Sequence, residues 1–163
     1  MVEEAEFCPS QSYPIPVIQV KSLQRQVGAL AGAFTGDPSA KVNLVGVTGT
    51  NGKSSCVQLI GQALTAIGHV VGNLGTIGNG VWPDLLSSPL TTLDSIALHE
   101  HLQQFVAKGA TTVAMEVSSH ALAQGRVSSL LFNIAVFTSL SHEHLDYHGT
   151  MDEYVQALSL IHI

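Results

Sequence analysis

Apolar residues in this chain alternate between short unbroken runs and longer stretches with helical spacing. The run at 42–47 predicts a strand. After a glycine-rich turn, Val57, Leu59, Ile60, Ala63, Leu64 and Ile67 fall on or near one helical face, and Gly68 stands where that helix would stop. Upstream, residues 15–20 make a short strand candidate. Ser22 is placed to cap a helix running to about Phe34, with Leu23, Val27, Leu30, Ala31 and Phe34 at helical spacing. Residues 36–39 read as a turn or linker. Downstream, Val70 and Val71 precede a glycine-rich stretch, 72–80, that reads as a loop able to approach a ligand closely. Residues 90–94 lead into a helix reaching Lys108, with Ile96, Leu98, Leu102, Phe105 and Val106 at helical spacing and Gly109 as its stop. Residues 111–117 and 134–138 read as further strands. Such alternation predicts an α/β fold, a mostly parallel sheet with flanking helices, whose ligands bind beyond the carboxyl ends of the strands.

The chemistry sits where that rule puts it. The first strand runs into Gly46-Val47-Thr48-Gly49-Thr50-Asn51-Gly52-Lys53-Ser54-Ser55. Strand, glycine-rich turn and helix together present bare backbone N–H groups and a helix N-terminus to phosphate. Lys53 would place its ammonium on the outer phosphates, and the Ser54 hydroxyl is placed to bind a bridging magnesium ion. The usual P-loop pattern, G-x-x-x-x-G-K-[ST], asks for glycine at 47. Val47 stands there and glycines fall at 46 and 49 instead, so this is a variant loop. Glu116 ends an apolar run; a carboxylate there is costly unless paired or bound to metal, and with Ser54 it makes a hard-oxygen magnesium site. His142, His144 and His148 match no common zinc spacing, and one histidine serving the magnesium–phosphate site is the better reading. His99 and His101 read as surface residues of their helix. Arg126, one of two arginines, either holds an anionic substrate group or is a surface arginine.

Composition narrows this further. At 163 residues the chain suits a single domain, or one domain plus a piece of another. A net charge of −6 with six Lys and Arg makes a nucleic-acid surface a poor fit. No basic segment followed by an apolar one opens the chain, and no apolar run is long enough to span a membrane. Cys8 and Cys56 are far apart, which indicates no disulfide framework and fits a reducing cytoplasm. The start, residues 1–16, carries Glu3, Glu4 and Glu6 and reads as a loose end.

Three motifs in order, G-V-T-G-T-N-G-K-S-S, A-M-E-V-S-S-H-A-L and L-S-H-E-H-L-D-Y-H-G-T-M, resemble the Mur ligases over residues 15–157. Within that family they are most similar to the branch that extends UDP-N-acetylmuramoyl-L-alanyl-D-glutamate in peptidoglycan assembly. The resemblance implies an ATP-dependent amide ligation in the bacterial cytoplasm: the γ-phosphoryl of ATP passes to the D-glutamate carboxylate, and meso-diaminopimelate or L-lysine attacks the acyl phosphate. It implies that Thr48, Gly49, Thr50, Asn51, Gly52, Lys53 and Ser54 hold ATP, that Ser54 and Glu116 take one magnesium ion, and that His144 helps hold a second. Lys53, Glu116 and His144 carry the catalysis in this reading. Thr91, Thr92, Ser118, Gln124 and Arg126 would contact the UDP-muramoyl-dipeptide. It divides the chain into 1–40, the remnant of a uridine-substrate domain with a linker, 41–157, the first part of an ATP-binding domain, and 158–163, a tail expected to be non-native. The family's magnesium-serving lysine after Met151-Asp152-Glu153-Tyr154 does not appear here. Such a fragment is expected to be inactive alone. A folylpolyglutamate synthase-like ligase and a non-catalytic nucleotide-binding module are the competing readings.

Overall fold

The computed structural model describes residues 2–3 and 14–162. Glu4, Glu6 and Cys8 of the expected loose start lie outside the described residues. A two-residue parallel pairing joins β1 (Val2–Glu3) to β2 (Gln19–Val20), so the strand expected at 15–20 shrinks to its last two positions. Helix α1 (Leu23–Thr35) follows, and a 3-10 turn (Pro38–Lys41) leads into β3 (Asn43–Thr48). Then come α2 (Lys53–Ala66), β4 (Val71–Leu74), β5 (Asn79–Val81), β6 (Asp84–Leu86), α3 (Ser95–Ala107) and β7 (Thr112–Glu116). The chain continues through α4 (Ser119–Ala123), β8 (Ile134–Phe137), α5 (Leu145–His148) and α6 (Met151–Ser159).

Six strands form one sheet in the order β6-β5-β4-β7-β3-β8. The four from β4 to β8 run parallel, and β5 and β6 add an antiparallel edge. Side chains of β3 alternate between two cores, which is why residues 44–47 within it form an apolar run. Leu44 faces Leu98, Leu102, Phe105, Val113 and Met115 on the α3 side. Val45 and Val47 face Val57 and Ala114 on the α2 side. Strands β3 and β7 are neighbours in the middle of the sheet; β3 connects to β4 on the far side of β7, and β7 connects to β8 on the far side of β3. The carboxyl ends of this central pair are the usual ligand position in such sheets.

Several local expectations change. Ser22 sits before α1 in a left-handed conformation and its hydroxyl makes no cap, whereas Asp94 caps α3 by accepting from the Ile96 and Ala97 N–H groups. On α2 the buried positions are Val57 and Gly61, while Leu59 and Ile67 stand 63% and 71% exposed. Helix α1 buries Gly28, Ala31 and Gly32; Leu23, Val27, Leu30 and the exposed Phe34 line an open groove with Ile96. His99 is buried: its Nδ1 lies 2.8 Å from the Ser95 carbonyl oxygen of its own helix, and its Nε2 lies 3.5 Å from Ser129 Oγ. The tail continues α6 and ends in a 3-10 turn (Leu160–His162), with Leu158 buried and Ile161 in the core beneath β3.

The stretch at 72–80, read as a loop, holds most of β4 and the start of β5. Its glycines belong to packing. A Cβ on Gly72 would stand 2.5 Å from the ring of the buried Phe105. Gly72→Ala is therefore expected to lower stability by about 1–3 kcal/mol, the usual cost of overfilling a packed core. A urea titration checks this, and a midpoint equal to that of the parent chain would contradict the packing role.

Candidate active site

The phosphate loop is built from three directions. Strand β3 ends at Thr48, whose hydroxyl donates to the Val117 carbonyl at 2.7 Å and ties the loop to the end of β7. Gly49 (φ +124°) and Gly52 (φ +88°) make the turn, in conformations that favour glycine. A Cβ on Gly49 would also lie 2.8 Å from the Ser139 carbonyl oxygen, so the residues after β8 press on the loop from outside. The Thr50 N–H donates to that same carbonyl at 2.8 Å, and the Asn51 N–H donates to Ser139 Oγ at 3.0 Å. Lys53 curls over the turn, its Nζ donating to the carbonyls of Gly49 (2.7 Å) and Thr50 (2.8 Å). No side chain caps α2 at Gly52, so the helix presents its first N–H groups to a ligand. The displaced glycine of the motif also has a physical reason. A Cβ at Gly46 would fall 2.6 Å from the Phe132 ring, so that glycine serves the core and Gly49 serves the turn.

Glu116 closes the other side. Its side chain is 2% exposed and receives only neutral donors. The Ser54 hydroxyl donates to Oε2 at 2.9 Å, the Thr76 N–H donates to Oε1 at 2.8 Å, and the Thr76 hydroxyl lies 3.3 Å from Oε2. Among the described residues no lysine or arginine pairs with it. A buried carboxylate without a cation, beside a hydroxyl oxygen, is a donor set that fits magnesium. Among the described residues no three His, Cys, Asp or Glu side chains come together as a metal cluster, so His142, His144 and His148 form no zinc site of that kind.

The residues expected to bind substrate form a chain of contacts leading away from Glu116. Thr91 Oγ1 lies 3.2 Å from Thr76 Oγ1. The Thr92 hydroxyl donates to the Glu116 backbone carbonyl and accepts the Ser118 N–H, both at 3.0 Å. Arg126 Nη1 donates to the Thr92 carbonyl at 3.0 Å, its Nε donates to Gln124 Oε1 at 2.8 Å, and Gln124 Nε2 donates to Tyr147 OH at 3.2 Å. Thr91, Thr92, Ser118, Gln124 and Arg126 are thus brought together. His144 takes a different place. It sits in a left-handed conformation (φ 55°) at the start of α5, and among the described residues it makes no hydrogen bond to Ser54 or Glu116. Its ring packs edge-on against His120 at 4.7 Å, and His120 also meets Tyr147 at 4.2 Å and His148 at 5.5 Å. Burial, reinforced by the neighbouring His144 and His148, pushes the His120 pKa below the ordinary histidine value. Burial, and then His144, does the same to His148.

Reading the sequence singled out neither Thr76 nor Ser139, nor Thr138, whose hydroxyl lies 3.0 Å from the Thr48 carbonyl and 2.6 Å from the Asn51 carbonyl. Thr76 acts partly through its backbone N–H, which no residue type announces. Thr138 and Ser139 follow a strand, and the rule about carboxyl ends was the available signal for them.

A variant glycine-rich turn between a central parallel strand and a helix, with a buried carboxylate ending the next strand, defines a P-loop α/β domain. Residues 47–162 match the Mur ligase middle domain family, and the chain belongs to it. Among curated proteins it is 54% identical over 143 residues to a UDP-N-acetylmuramoyl-L-alanyl-D-glutamate–2,6-diaminopimelate ligase of Pseudomonas putida, covering 88% of this chain and 29% of that protein. It is 44% identical over 159 residues to the enzyme of the same name from Coxiella burnetii, covering 98% of this chain and 32% of the relative. The chain thus spans about a third of the length of these relatives. A solved structure of a ligase of that name superposes with a TM-score of 0.79 at 31% identity, over 92% of this chain and 31% of the other. Escherichia coli FolC, solved with DHPP and ADP, superposes with a TM-score of 0.66 at 18% identity, over 91% of this chain and 41% of FolC, and shares the fold.

Proposed function

We propose that this chain supplies the phosphate-binding part of an ATP-dependent amide ligase that joins meso-diaminopimelate to UDP-N-acetylmuramoyl-L-alanyl-D-glutamate in the bacterial cytoplasm. The observation that carries this is the pairing of the buried Glu116 with the half-buried Ser54 at the mouth of the loop, 2.9 Å apart. The names of the relatives support diaminopimelate over lysine. Among the described residues no helix is long and apolar enough to cross a membrane, and the net negative charge disfavours nucleic acid.

The loop geometry and the family resemblance together support the following roles. Residues 48–54 would wrap the ATP phosphates with N–H groups and the α2 N-terminus. Lys53, now bound to two loop carbonyls, would turn to the outer phosphates and trade those contacts for full charges. Ser54 and Glu116 would hold magnesium, with His144 proposed for a second ion; magnesium offsets charge on the phosphates being rearranged. Thr91, Thr92, Ser118, Gln124 and Arg126 would hold the UDP-muramoyl-dipeptide. Arg126 is steadied by Gln124 and the Thr92 carbonyl, so its fork is oriented before an anion arrives. Carboxylate oxygen is a poor leaving group and phosphate a good one. The γ-phosphoryl therefore moves to the D-glutamate carboxylate, the amine attacks the acyl carbon, and ADP and phosphate depart. The protein contributes position and charge.

A chimera tests this. Residues 42–157 replace their counterpart in the Pseudomonas putida relative, and ADP release is followed with the UDP-muramoyl-dipeptide and diaminopimelate. Ligation that needs both substrates is expected. A folded chimera that binds ATP and ligates nothing would reduce this chain to a nucleotide-binding module. Ligation of folate substrates instead would move it to the FolC-like class.

A further inference from the structure

Tyr154 lies 104 positions from the phosphate loop in sequence and touches it in space. It is 1% exposed on α6, a helix anchored by a capping box between Thr150 and Glu153. Its OH stands 3.0 Å from Thr50 Oγ1. The Thr50 hydroxyl also receives the Ser141 N–H at 3.0 Å and reaches the Ser141 carbonyl at 3.3 Å. A hydroxyl has one proton to give and two lone pairs. All three contacts are satisfied when Thr50 donates to the Ser141 carbonyl and accepts from both the Ser141 N–H and the tyrosine, which makes Tyr154 the donor. The Thr50 backbone is held as well, its N–H by Ser139 and its carbonyl by Lys53. Thr50 is 6% exposed, so every polar group on it has an assigned partner.

We propose that Tyr154 is a positioning residue of the phosphate loop, which it holds in shape by donating to Thr50; the inference rests on reading that loop as an ATP site. The tyrosine ring also meets His148 at 5.3 Å, and His148 Nε2 lies 2.9 Å from Ser119 Oγ after β7. One side chain therefore joins the turn after β3 to the segment at 141–148 and, through His148, to the turn after β7. Neighbours anchored on separate elements keep the turn in a ligand-ready shape, so binding loses less order.

The full 163-residue chain is titrated calorimetrically with ATP and magnesium. Tyr154→Phe keeps the ring and removes only the donor, so affinity is expected to fall about three- to tenfold, the scale of one hydrogen bond. Thr50→Val should fall at least as far. The double variant should fall no further than the weaker single one, since both remove the same contact. Unchanged affinity in Tyr154→Phe, or two losses that multiply, overturns the proposal. Amide hydrogen exchange on the ligand-free chain decides the matter independently of nucleotide. Tyr154→Phe should speed exchange at Thr50, Asn51 and Gly52 by about the same factor and leave β3 and β7 alone. No change at those three amides, or faster exchange throughout the sheet, also overturns it. A parent chain that ignores ATP would sink the nucleotide reading, and the exchange result would still decide the role of Tyr154.

Discussion

Lys53→Ala is expected to weaken binding of ATP–magnesium by at least about a hundredfold while barely altering stability. Two unit charges about 4 Å apart at an effective dielectric near 20 interact by about 4 kcal/mol, and screening at an open site takes back part of that. The partners Lys53 now holds are the carbonyls of Gly49 and Thr50, two neutral groups at the mouth of the loop. Losing them costs about 1 kcal/mol, or roughly 2–4 °C in the unfolding midpoint of a chain of this size. Calorimetry of ATP binding beside a thermal melt separates the two effects. Tight ATP binding by a well-folded Lys53→Ala chain would mean that the turn meets no phosphate.

Glu116 should affect both stability and metal binding. Glu116→Ala removes the acceptor shared by the half-buried Ser54 hydroxyl and the Thr76 N–H, at a position that is itself 2% exposed. Hydrogen bonds to a charged group are worth about 1.5–3 kcal/mol each, and water can reach the freed groups at Ser54 and Thr76, so a loss of about 2–3 kcal/mol in urea is expected. Glu116→Gln keeps the shape and one acceptor oxygen while removing the charge, so most of that stability should return. What should not return is the magnesium dependence of ATP binding, because a neutral amide is a much poorer ligand for a hard cation. Titrations of the Gln variant with and without magnesium read this directly. If magnesium strengthens ATP binding in the variant as much as in the parent chain, Glu116 is a structural carboxylate only.

The parts legible from sequence share one property: their residue types are dictated by their own element. Strand β3 is buried on both faces and so reads as an apolar run, and β7 does the same. Glu116 ends β7, and Lys53 and Ser54 open the helix after the β3 turn, where they stand out against apolar surroundings. The parts that were not legible are fixed by distant partners. Gly72 and Asn73 are poor strand formers, yet Phe105 leaves no room for a side chain at Gly72 and Asn73 is fully buried with its Nδ2 donating to the Val57 carbonyl. His99 resembles a surface histidine until its own helix supplies the acceptor. Helical spacing on α2 placed Leu59 and Ile67 near the buried face, but the sheet covers a stripe through Cys56, Val57, Ile60 and Gly61 that leaves both outside. The substrate-side residues came from family resemblance, and their contact chain from Thr76 to Tyr147 emerges only in three dimensions.

Gly46 and Phe132 carry a lesson about descent. The ring occupies the volume where a side chain at 46 would project, in a strand that feeds the phosphate loop. The two positions therefore form a single inherited unit. A lineage that enlarges the residue at 46 must shrink or turn the one at 132 in the same period, or the end of the strand shifts and carries Thr48 with it. Drift at the loop's base is thus tethered to a site far along the chain, and substitutions at these two positions should travel in pairs between related proteins.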